Sequence, residues 1–502
     1  MLLLGYDIGS SSVKAALWDT VAGQVVGTAQ SPQTELPISA PHANWAEQDP
    51  ELWWQHLCLA TQQLLAETQT SAAAIGAIGI SYQMHGLVLV DENQKVLRPA
   101  IIWCDSRAIT LGDDAFHHLG EDYCLTHLLN SPGNFTAAKL AWVKQNEPDI
   151  YERATHFLLP GDYIAMRLTG TPLTTFSGLS EGILWDFSKH QLASNVLDYF
   201  QLDEHLVPPI QTNLSNQGTL TEQAAQQTGL CRGIPVTYRA GDQPNNALAM
   251  NVLHPGEVAA TGGTSGVIYG VVDHPVYDSQ SRVNSFLHAN HQPAAPRIGV
   301  LLCINGAGSQ YSWVKQNLGG NQHSYSAMNE MADAVPVGAD GLRIWPFGNG
   351  AERMLANQNP GARMSQWHFN RQTIGHVYRA ALEGIAFSFV YGARIMQQMG
   401  LDLRVMRVGN DNLFRSAVFS QTIANLLQCK IEVLATTGAV GAARAAGVVV
   451  RAYGSLDEAT EQTTRLQTYG PAYRVESYRQ AYDSWLQGLN QMTPQPSAVL
   501  ST

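Results

Sequence analysis

The 502 residues are too many for one ordinary hydrophobic core and point to two domains. A hydrophobic content of 45% against 14% charged residues describes a globular chain with large buried interiors. A net charge of −12 with no long basic run argues against a general nucleic-acid binder, though not against a small anion held by backbone amides.

The chain opens on "GYDIGSSSVKAAL", Gly5–Leu17, which predicts strands over Leu2–Tyr6 and Val13–Trp18 around a glycine/serine turn with Asp7 at its lip. No basic segment precedes it and no apolar run approaches the ~20 residues needed to span a bilayer, so neither a signal peptide nor a membrane partner is expected. Another extended piece, Gln24–Thr28, is followed by "AEQDPELWWQHLCLATQQLLAET". There Asp49 and Pro50 are suited to start a helix whose Trp53, Leu57 and Ala60 share one face. "AAIGAIGISYQMHGLVLVD" reads as two strands around a polar corner, Ser81–Gly86. "LRPAIIWCDSRA" predicts a strand on which Trp103, Asp105 and Arg107 alternate along one side.

Thr110–Asp203 reads as helices and loops. "IPVTYRAGDQPNNALAM" then predicts a buried strand, a turn at Asp242 and a helix. Next the opening pattern returns: in "EVAATGGTSGVIYGVV", Thr261–Gly266 overlays Asp7–Ser12 half a chain later, the signature of a duplicated architecture. The remainder alternates strand and helix, with helices expected from Ser309, over Arg371–Met399, over Leu413–Gln428 and over Gly441–Ala452. Domains of 1–245 and 246–502 follow, with the last helix expected to pack back on the first.

Two glycine/serine/threonine turns in equivalent places suggest a nucleotide held between two lobes, because such turns present amides and hydroxyls to phosphate. Taken alone, each is an ordinary hairpin. No Gly-Lys dipeptide occurs, which excludes a P-loop. Asp242, after a strand and a glycine, reads either as a helix cap or as a base placed where α/β sites assemble. "GLSEG", Gly178–Gly182, matches the nucleophile elbow of serine hydrolases, with Ser180 as nucleophile. The polar "TPLTTFS" before it and the absence of a helix start after it argue against that use. His288 and His291 read as a surface loop rather than a metal pair. Six scattered cysteines without a CxxC pair are compatible with a reducing, cytoplasmic setting.

In order along nearly the whole chain, "GYDIGSSSVKAAL", "WAEQDPELWW", "QMHG", "RPAIIWCDSR", "LLPGDYIAMRLTG", "AGDQ", "GGTSGV", "ALEGIAF" and "GAVGAARAAG" resemble the FGGY carbohydrate kinases. "QMHG", Gln83–Gly86, sets the chain apart from the family's glycerol kinases and points to members acting on xylulose. The resemblance implies an α/β, duplicated actin/hexokinase-like (ribonuclease H-like) fold of two domains with a cleft between lobes. It also implies ATP-dependent phosphorylation of a ketopentose, D-xylulose first, with ribulose, L-xylulose or another polyol as alternatives and a non-catalytic sugar-binding regulator beyond these. Small-molecule sugar, ATP and Mg²⁺ are the implied partners, and a homodimer the implied assembly.

By the same resemblance Asp242 is the general base. Asp7 holds Mg²⁺ through water. Gly9, Ser10 and Ser11 form one phosphate loop, and Gly263, Thr264 and Ser265 the other. Met84, His85, Trp103, Asp105 and Gln243 line the sugar site with Asp242, Arg107 being less securely placed. Gly306, Gly409 and Asn412 attend the nucleotide. The chain departs from the family in reading "GNDN" at Gly409–Asn412 for a glycine-rich segment, Gln243 where asparagine is usual, "SGLSEGI" without the family's aspartate, and "GAERM" at Gly350–Met354 for "GER".

Overall fold

Alternating apolar residues and a tight turn build the first hairpin of the computed structural model, which describes residues 1–410, 413–473 and 475–493. Strands β1 (Leu2–Ile8) and β2 (Val13–Asp19) pair antiparallel, and β3 (Gln24–Ser31) pairs antiparallel with β2. Helix α1 (Pro50–Thr68) starts as its sequence predicts, with the Asp49 side chain accepting from the Glu51 N–H, and buries Trp53, Leu57 and Ala60. Strand β4 (Ile75–Tyr82) is parallel to β1. A long excursion follows, containing helices α2 (Thr136–Asn146) and α3 (Phe176–Glu181). Strand β5 (Val236–Gly241) then returns beside β4, giving the sheet order β5-β4-β1-β2-β3.

Helix α4 (Asp242–Ala249) leads to the second sheet. Its strands are β6 (Val258–Gly262), β7 (Gly266–Val272), β8 (Asn284–Leu287) and β9 (Ile298–Ile304). Helices α5 (Gly308–Asn317) and α6 (Ile374–Gln398) separate these from β10 (Val405–Gly409). Helix α7 (Ala417–Leu427), β11 (Lys430–Leu434), helix α8 (Gly438–Val449), β12 (Arg465–Tyr469) and helix α9 (Glu476–Met492) complete the chain. The sheet order is β8-β9-β7-β6-β10-β11-β12.

Within that sheet β9-β7-β6-β10-β11 repeats the order and directions of β3-β2-β1-β4-β5: two antiparallel pairings, then two parallel ones. This is the duplicated two-lobed α/β fold expected, and the two glycine-bearing turns occupy equivalent corners of the two sheets. The helices after the last parallel strand of each repeat, α4 and α8, pack on each other between the lobes. Gly441 of α8 permits this, since a Cβ there would overlap Ala249.

Helix α8 lies on the first sheet, where its alanines join Leu3, Ala16, Ala77 and Tyr238 in one core. The last helix, α9, packs on α6, α7 and the Arg343–Phe347 strand of its own half, with Trp345 Nε1 donating to the Trp485 carbonyl. Thus it is α8, not the last helix, that returns to the first lobe. Among the described residues no helix is long and apolar enough to cross a membrane, and all six cysteines carry free thiols.

Candidate active site

The first turn is closed by the Gly9 N–H donating to the Ser12 carbonyl, 3.0 Å away. The second is clamped from outside: the N–H groups of Gly308 and Ser309, at the start of α5, donate to the carbonyls of Gly263 (3.1 Å) and Thr264 (2.9 Å). Both turns open on a central cavity of about 420 Å³. Its walls gather Asp7, Gly9, Ser10 and Ser11 from the first turn, Gln83, Met84 and His85 from the polar corner, Trp103, then Asp242 and Gln243, and Ser265 from the second turn. Val267, Leu301 and Cys303 supply the wall from the second lobe.

Asp242 is the first residue of α4, with Gly241 in the cap position before it. Its carboxylate accepts from the backbone N–H of Gln243 in that first turn and stands in the wall of the central cavity. Burial, and secondarily the Asp7 charge, push its pKa up to about 7, while the backbone and side chain of Gln243 pull the other way. Asp7 is also raised by burial, against the opposing influence of Lys14 and of Ser81, whose hydroxyl donates to Asp7 Oδ1 at 3.1 Å.

His85 has a backbone φ of 61°, in the left-handed region that disfavours side chains. Its Nδ1 lies 3.0 Å from the Glu181 carbonyl, and its ring sits edge-on to Phe135 and tilted against Phe286. Burial first, then the Lys139 charge, lower its pKa to about 3, so the imidazole is neutral near pH 7. Half-exposed Trp103 offers its ring to the cavity, with Nε1 donating to Ser10 Oγ at 3.3 Å.

Two further cavities flank this one. One, of about 440 Å³, is walled by Gly263 and Thr264 together with Tyr311, Trp313, Gln316, Tyr325 and Leu413. The second turn is thus shared, with Ser265 facing Asp242 and Gly263–Thr264 facing the aromatic cavity. The other, of about 630 Å³, shares Asp7 and Lys14 with the central cavity and is walled by Asn246, Thr261, Gly409 and Gly438. A Cβ on Gly438 would stand 2.9 Å from Asp7 Oδ2 and 3.0 Å from Asn246 Oδ1, so both oxygens face one niche that the glycine leaves open. Among the described residues no cluster of three or more His, Cys, Asp or Glu could cage a metal. One carboxylate beside an amide oxygen does suit a cation that keeps most of its waters, as Mg²⁺ does.

Three sequence expectations are corrected. Residues 103–107 form turns rather than a strand, and Asp105 is fully buried outside the cavity wall. Its carboxylate accepts from the Ala46 N–H at 2.6 Å and from Arg107 Nη2 at 2.6 Å, while Arg107 Nη1 pairs with Glu47 at 2.8 Å, so both side chains are engaged behind Trp103's loop. Gly306 joins none of these cavities. Its N–H donates to Glu352 Oε1 at 3.1 Å, and a side chain there would overlap the Pro346 carbonyl, so it serves close backbone approach while Gly308 and Ser309 meet the aromatic cavity. His288 is not on a surface loop: it is fully buried, with Nδ1 2.9 Å from the Tyr269 hydroxyl and Nε2 3.1 Å from the Val252 carbonyl. Asn412 lies outside the described residues.

The hydrolase elbow is absent. Ser180 is buried within α3, donating to the Ser177 carbonyl (2.9 Å) and accepting from the Leu287 N–H (3.0 Å). The same stretch hides Glu181, whose buried carboxyl is pushed well up by burial and by the charges of Asp242 and Asp162. Lys14, Asn246, Lys139 and Glu181 are the neighbours of the site that sequence reasoning missed. Lys14 was legible, since it pairs directly opposite Asp7 in the hairpin.

A family model described as the N-terminal domain of the FGGY family of carbohydrate kinases matches residues 2–249, and its C-terminal-domain counterpart matches 258–450. A xylulose kinase of Escherichia coli (strain K12) is 30% identical over 502 residues, covering 98% of this chain and 99% of its own. One of Bacillus subtilis (strain 168) is 28% identical, covering 96% and 95% respectively. The solved structure of the xylulose kinase from Rhodospirillum rubrum superposes with a TM-score of 0.86 at 26% identity, covering 98% of each chain.

Proposed function

The chain belongs to the FGGY family of carbohydrate kinases and is a sugar phosphotransferase, and from that premise we propose that it moves the γ-phosphoryl group of ATP to the terminal hydroxyl of a ketopentose, D-xylulose first. The observation that carries this reading is Asp242: a buried carboxylate with a pKa of about 7, on the wall between the two amide-rich turns and the polar corner. A base of that pKa is matched to accepting a hydroxyl proton near neutral pH. The full-length similarity to xylulose kinases supports D-xylulose as acceptor.

The ketose sits against Met84, His85 and Trp103, its apolar edge on the indole and its hydroxyls toward the imidazole and Gln243. With Nδ1–H spent on the Glu181 carbonyl, the Nε2 of neutral His85 accepts from a sugar hydroxyl. As the terminal oxygen attacks γ-phosphorus, its proton passes to Asp242 and the bond from phosphorus to the β,γ-bridging oxygen breaks. Amides of the first turn and the Ser265 hydroxyl meet the charge spreading over the transferred group. The nucleoside end lies along Gly263–Thr264 and the aromatic cavity, with Gly409 bordering the phosphates. Mg²⁺ would be held by Asp7 through water with Asn246 alongside, and when bound it neutralises phosphate charge.

A coupled ADP-release assay over a panel of ketoses and polyols tests the reading. Turnover with D-xylulose ahead of ribulose, L-xylulose and glycerol is expected; no turnover with any pentulose would refute it.

A further inference from the structure

Helix α2 begins beside the central cavity, and its first residues reach the two loops that run on from the Leu87–Ile101 pairing, whose N–H groups and carbonyls bond reciprocally at 2.9 and 3.1 Å. Lys139 is wholly buried there, among Ala137, Ala138, Leu140 and Ala141. An ammonium in such a place is costly unless fully hydrogen-bonded, and an apolar side chain would serve the packing as well. What the lysine adds is its bonds. Nζ donates to the His85 carbonyl at 2.7 Å and to the Ile102 carbonyl at 3.1 Å. The first acceptor belongs to the residue in the left-handed conformation, and the second directly precedes Trp103. The same segment adds Thr136 Oγ1 donating to the Gly86 carbonyl at 3.3 Å and Asn134 Nδ2 donating to the Asp105 carbonyl. One short stretch of chain therefore clasps two of the loops that face the cavity from the first lobe.

We propose that Lys139 is a positioning residue for the sugar: its Nζ ties the His85 corner to the Trp103 loop beyond the Leu87–Ile101 pairing, so that the ketose meets both walls already assembled. This rests on the central cavity being the sugar site. Both of these Nζ hydrogen bonds go to the sugar side of the cavity, so the effect is expected on one substrate only.

The test is Lys139→Met, which keeps the length and apolar stem and removes the charge. Steady-state rates are measured with D-xylulose and ATP varied separately, beside a thermal unfolding curve. The KM for D-xylulose is expected to rise about tenfold or more, while the KM for ATP and the kcat at saturating sugar stay within about threefold. A D-xylulose KM within about twofold of the parent, or an equal rise in both KM values, overturns the proposal. Should Lys139→Met fail to fold, Thr136→Val carries the test, since it removes only the tie to Gly86. A rise of about threefold confined to the sugar supports the clasp, and no rise overturns it. Met84→Ala separates the two levels. If it leaves the sugar KM unchanged, the assignment of the cavity fails. If it raises that KM while Lys139→Met does not, only the role of Lys139 fails.

Discussion

Asp242 shows how one residue's environment decides its use. By sequence its type and place suited a helix cap better than a base; in the fold Gly241 takes the cap position, and burial beside Asp7 lifts the pKa of Asp242 to about 7. Asp242→Asn should lower kcat by about 10²–10⁴ while leaving sugar binding measurable by calorimetry. The proposed base works deprotonated, so kcat/KM for the ketose should climb with pH and level off above about 7. Removing the like charge in Asp7→Asn should move the midpoint of the residual activity to lower pH. The same shift bears on stability. A carboxyl whose folded pKa exceeds its unfolded value of about 3.8 favours folding at low pH, and that contribution is lost as pH rises through about 7. Asp242→Asn should therefore melt higher than the parent at pH 8, with the gain shrinking by pH 5.5. His85 was legible as part of a polar break between apolar strands and Trp103 as a flat apolar surface beside it, whereas Gln243 came only with the family resemblance. Lys139 was not, since a lone lysine in "TAAKLAW" carries no sign of which carbonyls its nitrogen will find.

Among the elements, α8 carries the contact between lobes. "GAVGAARAAGVV" is small along its buried side, and it meets β1 and β4 at Gly5 and Gly79, where a Cβ would overlap the backbone of Ala439 or Ala442. Replacing Gly79 by valine forces the helix off the sheet, and a stability loss of about 1–3 kcal/mol or more by denaturant unfolding is the expected result. At the other end of function, Gly438→Ala places a methyl in the niche between Asp7 Oδ2 and Asn246 Oδ1. We expect it to raise the Mg²⁺ concentration needed for half-maximal activity by about tenfold with little change in melting temperature. The four internal helices expected in the second half lie within a few residues of their predicted places, whereas the helices Tyr325–Asp333 and Leu456–Glu461 were not read from sequence. The Trp103 segment was misread as a strand because alternation in sequence cannot reveal that Arg107 folds back onto Asp105.

At the scale of the molecule, two sheets of the same topology face one another across the cavities, joined by α4 and α8. Each lobe brings one amide-rich turn, so neither alone can surround a phosphoryl group. Adding D-xylulose with a non-hydrolysable ATP analogue should draw the lobes together, read as a smaller radius of gyration in solution scattering, and either ligand alone should do less. An unchanged radius with both ligands bound would mean that this cleft is already closed.

The sequence by itself determined the duplication, the two turns, the α/β class and the residues most able to do chemistry, because these depend on local periodicity, on glycine and on side-chain type. Only the tertiary structure decided which polar residues share a cavity: Asp242 and Ser265 in, Asp105 and Gly306 out, with Lys139 behind the wall. That choice depends on how segments far apart in the chain compete for the same hydrogen-bond donors, and Asp105 is lost to Arg107 through a fold-back no periodicity records. It also depends on how closely α8 can approach the first sheet, which is set by contacts between halves of the chain.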